Sequence, residues 1–195
     1  MSKIFIDTAT SDRWKYGRDI PDTTQPHLIR LAWILETDAG ATIRDACHLI
    51  SMPTGEQPAG ETQHVTGIYQ HHIEARGMRM FEVLTEFSEA LGEAGLIVAH
   101  AWTGQKQVLE RSYRFVGMPA REWPPSFDVM IRGTDLVKIP AMQPGKKWKW
   151  PSFSECCERI LGTPYTPTMD PVADGMTRVR NVRTFYNAIV QEGLA

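Results

Sequence analysis

Along the first fifty residues, apolar positions come in short blocks separated by polar punctuation, not at helical spacing. Residues 3–8 (KIFIDT) read as a buried first strand that carries Asp7 near its end. "HLIRLAWILET" and "ATIRDACHLISM" read as the second and third strands. The "DAG" between them reads as a hairpin turn, with Gly40 free to take positive φ. A turn in place of a crossover helix predicts an antiparallel start to the sheet. The stretch "DRWKYGRDIPDTTQP", punctuated by Pro21 and Pro26, is a polar connection longer than most. Loops of that length are often functional.

Further along, the period changes. "PTGEQPAGETQHVTG" reads as loop. "IYQHHIEARGMRMFEVLTEFSEALGEA" holds a short helix and then an amphipathic one. Met80, Val83, Leu84, Phe87 and Leu91 line one face of the latter, and Gly92 and Gly95 mark its end. "LIVAH" is a short apolar strand of the kind buried on both faces. "QKQVLERSYRFVG" is helical and stops at Gly117, and "FDVMIRG" reads as a further strand. "PSFSECCERILG" reads as a helix from Pro151 to Gly162, and "DPVADGMTRVRNVRTFYNAIVQEG" as a long terminal helix. Antiparallel strands followed by alternating helices and strands predict an α/β domain with a mixed β-sheet flanked by α-helices. The 195 residues suit a single domain, 1–195.

Charge narrows the function classes. A net charge of −2 provides no global basic field, so any nucleic-acid binding must come from a local patch. "GKKWKW" interleaves Lys146, Lys147 and Lys149 with Trp148 and Trp150, a composition suited to stacking bases. The same aromatics could equally pack the helix that follows. Arg178, Arg180 and Arg183 lie on the terminal helix, with at most two on one face. His71 and His72 are adjacent, so their rings are predicted to point apart into solvent. The cysteines, Cys47, Cys156 and Cys157, have no metal-ligand spacing and suit a reducing compartment. With no leader before Asp7 and no run near the roughly 18 apolar residues of a span, the sequence predicts a soluble cytoplasmic protein with no membrane contact.

The order of segments carries more than any one of them. An Asp ends strand one. "HVTGI" and "LIVAH" each precede a helix, then comes "KWKWPSFSECCERILG", then an Asp early in the terminal helix. With "QPHLIRLAWIL" as its second strand, this order resembles the DnaQ-like 3′–5′ exonucleases, the DEDDh branch of the ribonuclease H-like fold. The resemblance runs from Lys3 to about Ala188. It implies a nuclease site holding Mg²⁺ or Mn²⁺, acting on 3′ ends of single-stranded nucleic acid. Compact single-domain members of this kind are often phage-encoded.

Mapped onto this chain, the family's motifs are depleted. Asp-x-Glu falls on Asp7-Thr8-Ala9, so the Glu is absent. The second motif, His-Asn-x-x-Phe-Asp, falls on "HAWTGQ": His100 fits, with Ala101 at the Asn, Gly104 at the Phe and Gln105 at the Asp. The last motif, His then Asp five residues on, falls on "MDPVAD", with Met169 at the general-base position and Asp174 retained. Asp7 and Asp174 therefore remain, able to hold a single ion weakly or to survive as hydrogen-bonded remnants. Ala9 offers no ligand, Gln105 no charge, and a thioether at 169 cannot take a proton from water. These losses predict a nucleic-acid-binding pseudoexonuclease. Thr8, Thr10, His100 and Trp102 would lie near the bound end, with Lys147 and Lys149 assisting. Two alternatives stand beside it: an active exonuclease in altered form, Ala9 being a common inactivating replacement, or a protein-interaction module using "WKYGRDIP" for a protein partner.

Overall fold

The computed structural model describes residues 1–15 and 25–194. Most of the "WKYGRDIP" loop, from residue 16 onward, lies outside the described residues. Five strands form one sheet in the order β3-β2-β1-β4-β5. β1 (Lys3–Thr10), β2 (Leu28–Glu36) and β3 (Thr42–Leu49) pair antiparallel, as the "DAG" turn predicts, and Gly40 takes φ +82° there. β4 (Leu96–Ala99) and β5 (Ser126–Asp128) run parallel to β1, which gives the mixed sheet.

Period-two alternation sorts the side chains of β1 and β2 between two apolar layers. Ile4 and Ile6, with Leu31, Trp33 and Leu35, face α3 (Met80–Gly92) and α4 (Trp102–Phe115). Phe5, Ala32 and Ile34 face α8 (Pro171–Gln191) through Val179, Val182 and Phe185. The same alternation puts Asp7 on the α8 side, two residues beyond Phe5. Glu36 is also on this face, where Arg183 of α8 donates to it at 2.6 Å.

Several boundaries differ from the sequence expectation. "PTGEQPAGETQHVTG" contains helix α1 (Gly60–Thr66), which ends on Gly67 at φ +66°. α2 (Gln70–Arg76) follows, and its first turn brings the His71 and His72 rings to 4.0 Å between centroids, so they do not point apart. "FDVMIRG" divides: only Ser126–Asp128 is strand, and the chain turns into the short helices α5 (Val129–Arg132) and α6 (Thr134–Val137). α7 (Phe153–Cys156) starts two residues after Pro151, because Ser152 and Glu155 form a reciprocal N-terminal cap, and continues as a wider π turn over Cys157–Leu161. The three cysteines are free thiols. Among the described residues, no helix is long and apolar enough to cross a membrane.

One carboxylate organises the turn after β4. Ala101 adopts a left-handed conformation (φ 60°, ψ 54°), which residues with a Cβ disfavour. Asp128 holds it there, accepting from the backbone N–H of Ala101 at 3.0 Å and of Trp102 at 2.8 Å. It also accepts from Met130 N–H at 3.0 Å, so it caps the starts of α4 and α5 together. Each such cap is worth about 0.5–2 kcal/mol. Asp128→Ala should therefore cost about 1–4 kcal/mol, read as a fall in urea midpoint with little change in m-value. An unchanged midpoint would show that the turn holds itself.

Candidate functional site: a carboxylate pair closed by arginine

β1 delivers Asp7 and the first turn of α8 delivers Asp174 to the same buried interface. Between them lies Arg30 of β2, a residue only 1% exposed. Its guanidinium donates to Asp174 Oδ2 at 2.8 Å, to Asp7 Oδ2 at 3.2 Å, and to the Pro171 carbonyl at 3.0 Å. Arg178, one helical turn after Asp174, donates through Nε to Asp7 Oδ2 at 2.9 Å. The Arg178 guanidinium also lies 4.0 Å from the Phe153 ring centroid and 5.1 Å from that of Tyr165. The Tyr165 hydroxyl and the Thr168 N–H (3.0 Å) both donate to Asp174 Oδ1.

Two carboxylates and two guanidiniums make this cluster neutral. Burial raises the Asp7 pKa, but the charges and hydrogen bonds of Arg178 and Arg30 outweigh it and hold the carboxyl below its ordinary value. Burial and the hydrogen bond to Asp174 push the Tyr165 hydroxyl up. Cys47 lies under the same helix, and burial pushes its thiol up to about 12, so it is an inert thiol.

The local sequence provides the space. Ala9 pairs with Arg30 across β1 and β2, so a small residue stands beside the arginine shaft. Above it α8 has Gly175, where an added Cβ would meet Cys47 Sγ at 2.5 Å and Arg30 Cδ at 2.9 Å. Glycine within a helix costs about 1 kcal/mol relative to alanine, and here it admits the arginine.

Beside the cluster opens a cavity of about 370 Å³, with Thr8, Ala9, Thr10, Thr62, Thr66 and Arg178 in its wall. Arg13 pairs with Glu61 at its rim. The other predicted positions are scattered. Gln105 is buried and donates to the His100 carbonyl at 2.7 Å. Met169 is 95% exposed. His100 is bonded at Nε2 to the Pro151 carbonyl (3.1 Å) and lies edge-on to Phe153, and burial lowers its pKa. Trp102 was expected near the bound end; it is 8% exposed, in the core against Trp123. Its place in the first turn of an amphipathic helix explains the difference. Lys149 was expected to meet a polyanion; it is held by both oxygens of Glu155, at 2.6 and 2.8 Å. Lys147 is exposed, over the Trp148 ring at 5.1 Å.

A divalent ion does not fit the residues present. Asp7 Oδ2 and both oxygens of Asp174 are engaged by donors, and two of those donors carry positive charge. Among the described residues, no group of three His, Cys, Asp or Glu side chains could hold an ion.

No protein-family model and no curated protein sequence matches this chain. Solved structures do. Exonuclease I of E. coli in complex with a dT13 oligonucleotide is similar over 97% of this chain, with a TM-score of 0.70 and 11% identity, and the chain spans 40% of its length. A 3′-exonuclease solved for 3′-end specific recognition of the histone mRNA stem-loop matches over 99% of this chain and 83% of its own (TM-score 0.66, 14% identity). The nuclease domain of 3′hExo, a DEDDh family member bound to rAMP, matches over 99% and 92% (TM-score 0.64, 14% identity). The fold is therefore α/β and DnaQ-like, of the ribonuclease H-like kind.

The sign of one substitution separates this cluster from a vacant metal site. Where acids crowd together without a cation, neutralising one relieves repulsion. Here Asp7→Asn takes from Arg178 its carboxylate and from Arg30 one of its two, and should destabilise by about 3–5 kcal/mol at pH 7. Because the folded-state pKa of Asp7 is depressed, its contribution is complete above about pH 4, the ordinary carboxylate range, and is lost as pH falls through the folded value. Denaturant melts of wild type and Asp7→Asn should therefore converge in acid. An Asp7→Asn protein more stable than wild type at pH 7 would contradict the ion-pair account.

Proposed function

We propose that this chain binds 3′ ends of single-stranded nucleic acid and does not hydrolyse them. The observation that carries this reading is the engagement of Asp7 and Asp174 by Arg30 and Arg178. Hydrolysis in this fold class relies on carboxylate-held ions that generate the nucleophile and stabilise the leaving oxygen. The carboxylates kept here face fixed cations of the chain itself. The residue in the general-base position, Met169, has no group that accepts a proton, and that loss alone costs about 10²–10⁴ in rate.

Binding has separate support. E. coli exonuclease I was solved with an oligonucleotide and the 3′hExo nuclease domain with rAMP. In this chain the cavity beside the cluster is lined by Thr8, Thr10, Thr62, Thr66 and the cations Arg13, Arg30 and Arg178, with Asp12 and Glu61 also in its wall. An anionic end meets no uncompensated carboxylate in the cluster itself. Lys147 and Lys146, each over a tryptophan ring, extend a basic aromatic surface along the segment that leads to Pro151 and His100. Arg30 also bears on Ala9. A chain altered only at position 9 would keep the rest of the nuclease set, whereas here the residue paired with Ala9 is a buried arginine.

Labelled DNA and RNA oligonucleotides incubated with Mg²⁺ or Mn²⁺ should remain full length. Metal-dependent release of nucleotides, abolished by Asp7→Asn, would return the chain to the working exonucleases. In parallel, an oligonucleotide should bind at low salt and lose roughly 10–30-fold in affinity between about 50 and 200 mM, as a few phosphate contacts imply. Lys147→Glu should weaken binding and flatten that slope. No binding at low salt would favour a protein-interaction domain.

A further inference from the structure

Three oxygens converge on one cation inside this fold: Asp7 Oδ2, Asp174 Oδ2 and the Pro171 carbonyl, all on the Arg30 guanidinium. Hard oxygen donors, two of them charged, are the ligand set that Mg²⁺, Mn²⁺ or Ca²⁺ would select. We propose that Arg30 is a built-in counter-ion: it provides from β2 the positive charge that the carboxylate pair would otherwise take from a divalent ion, and its removal opens an ion site between Asp7 and Asp174. The inference rests on the reading of the cluster as closed to metal. It concerns ions alone and needs no nucleic acid.

The placement is built into the chain and not a chance rotamer. Arg30 is flanked along β2 by Ile29 and Leu31, both fully buried, and pairs with Ala9, whose small side chain leaves room. Its shaft passes Gly175 so closely that a Cβ there would lie 2.9 Å from Cδ and 3.0 Å from Nε. Arg30 Nε is buried without a hydrogen-bond partner, a cost the fold carries to aim the two terminal nitrogens at the acids. Arg178 reinforces Asp7 from the solvent side but reaches only one carboxylate; Arg30 touches both.

The test is metal response without substrate. Wild-type protein stripped with EDTA should melt at the same temperature as protein in millimolar Mn²⁺ or Mg²⁺, and should leave the Mn²⁺ electron paramagnetic resonance signal free. Arg30→Met keeps the apolar shaft and removes the charge. It should melt lower than wild type in EDTA. Mn²⁺ at about one hundred times its dissociation constant should restore roughly 5–10 °C. The variant should also bind Mn²⁺ in the resonance titration, and adding Asp7→Asn should abolish both effects. Arg30→Lys, which keeps a cation, should fold without metal and gain little from it. A wild-type melting temperature that rises with Mn²⁺ overturns the proposal, as does an Arg30→Met protein equal to wild type in EDTA. So does an Arg30→Met protein that stays unfolded at every Mn²⁺ level while Arg30→Lys folds. Nuclease activity in wild type would sink the reading beneath it, whereas a metal-blind Arg30→Met would sink this inference alone.

Discussion

A guanidinium buried between a sheet and a helix must be matched charge for charge. Taking one ion from water into a protein interior costs several kcal/mol, and only close, well-directed partners repay it. Arg30 has such partners in Asp7 and Asp174, one from each side of the interface. The seating of α8 on the sheet depends on that match. Asp174 and Arg178 are four residues apart on the helix, and each reaches a charge of opposite sign in the strands. Further along, Arg183 repeats the arrangement with Glu36. Helix and sheet therefore meet in register through three ion pairs, the first with its acid on the helix and the other two with their arginine there, and Val179, Val182 and Phe185 fill the layer between. Apolar packing alone would tolerate a small slide of the helix; paired charges at fixed spacing do not.

The same constraint explains residues that are otherwise poor choices. A glycine in the second turn of a long helix, an alanine near the end of β1 and a thiol on β3 all border the arginine shaft. Each leaves room, and none competes for the carboxylates. Tyr165 and the Thr168 backbone then occupy the remaining oxygen of Asp174 from the segment just before α8.

Much of the architecture was legible because it is written in periodicity. The apolar blocks of β1, β2 and β4, the stripe of α3 and the turn at Gly40 follow from side-chain alternation and glycine geometry, which act locally. That positions 9, 105 and 169 carry neither acid nor imidazole was equally legible against the motifs that the resemblance implies. What filled the gap was not. Arg30 sits in "LIRLAWIL", where the eye follows the apolar run, although one charge amid buried residues must have a partner somewhere. That signal was present, as was the oddity of Gly175 beside Asp174. Neither names the partner, because the contacts span 141 and 144 positions of chain. For a related reason the sequence did not name the partners that Trp102 and Lys149 have within the chain. Composition marks them as ligand-like, but the core and Glu155 had prior claim on them.

A pair of acids can be held together by an ion from solution or by a cation on the chain, and the two solutions behave differently. An exchangeable ion carries open coordination positions, and chemistry can happen there. The Arg30 guanidinium turns its two terminal nitrogens to the acids and the Pro171 carbonyl, and it cannot leave. It gives the cluster electrical neutrality and rigidity without Lewis acidity. The cluster's own share of the charge repulsion that an acidic cleft raises against a phosphate is thereby removed, although Asp12 still lines the cavity, and a guanidinium provides no means of activating water. In the function proposed here, a cleft that binds without reacting rests on that one cation, with the glycine and alanine that make room for it.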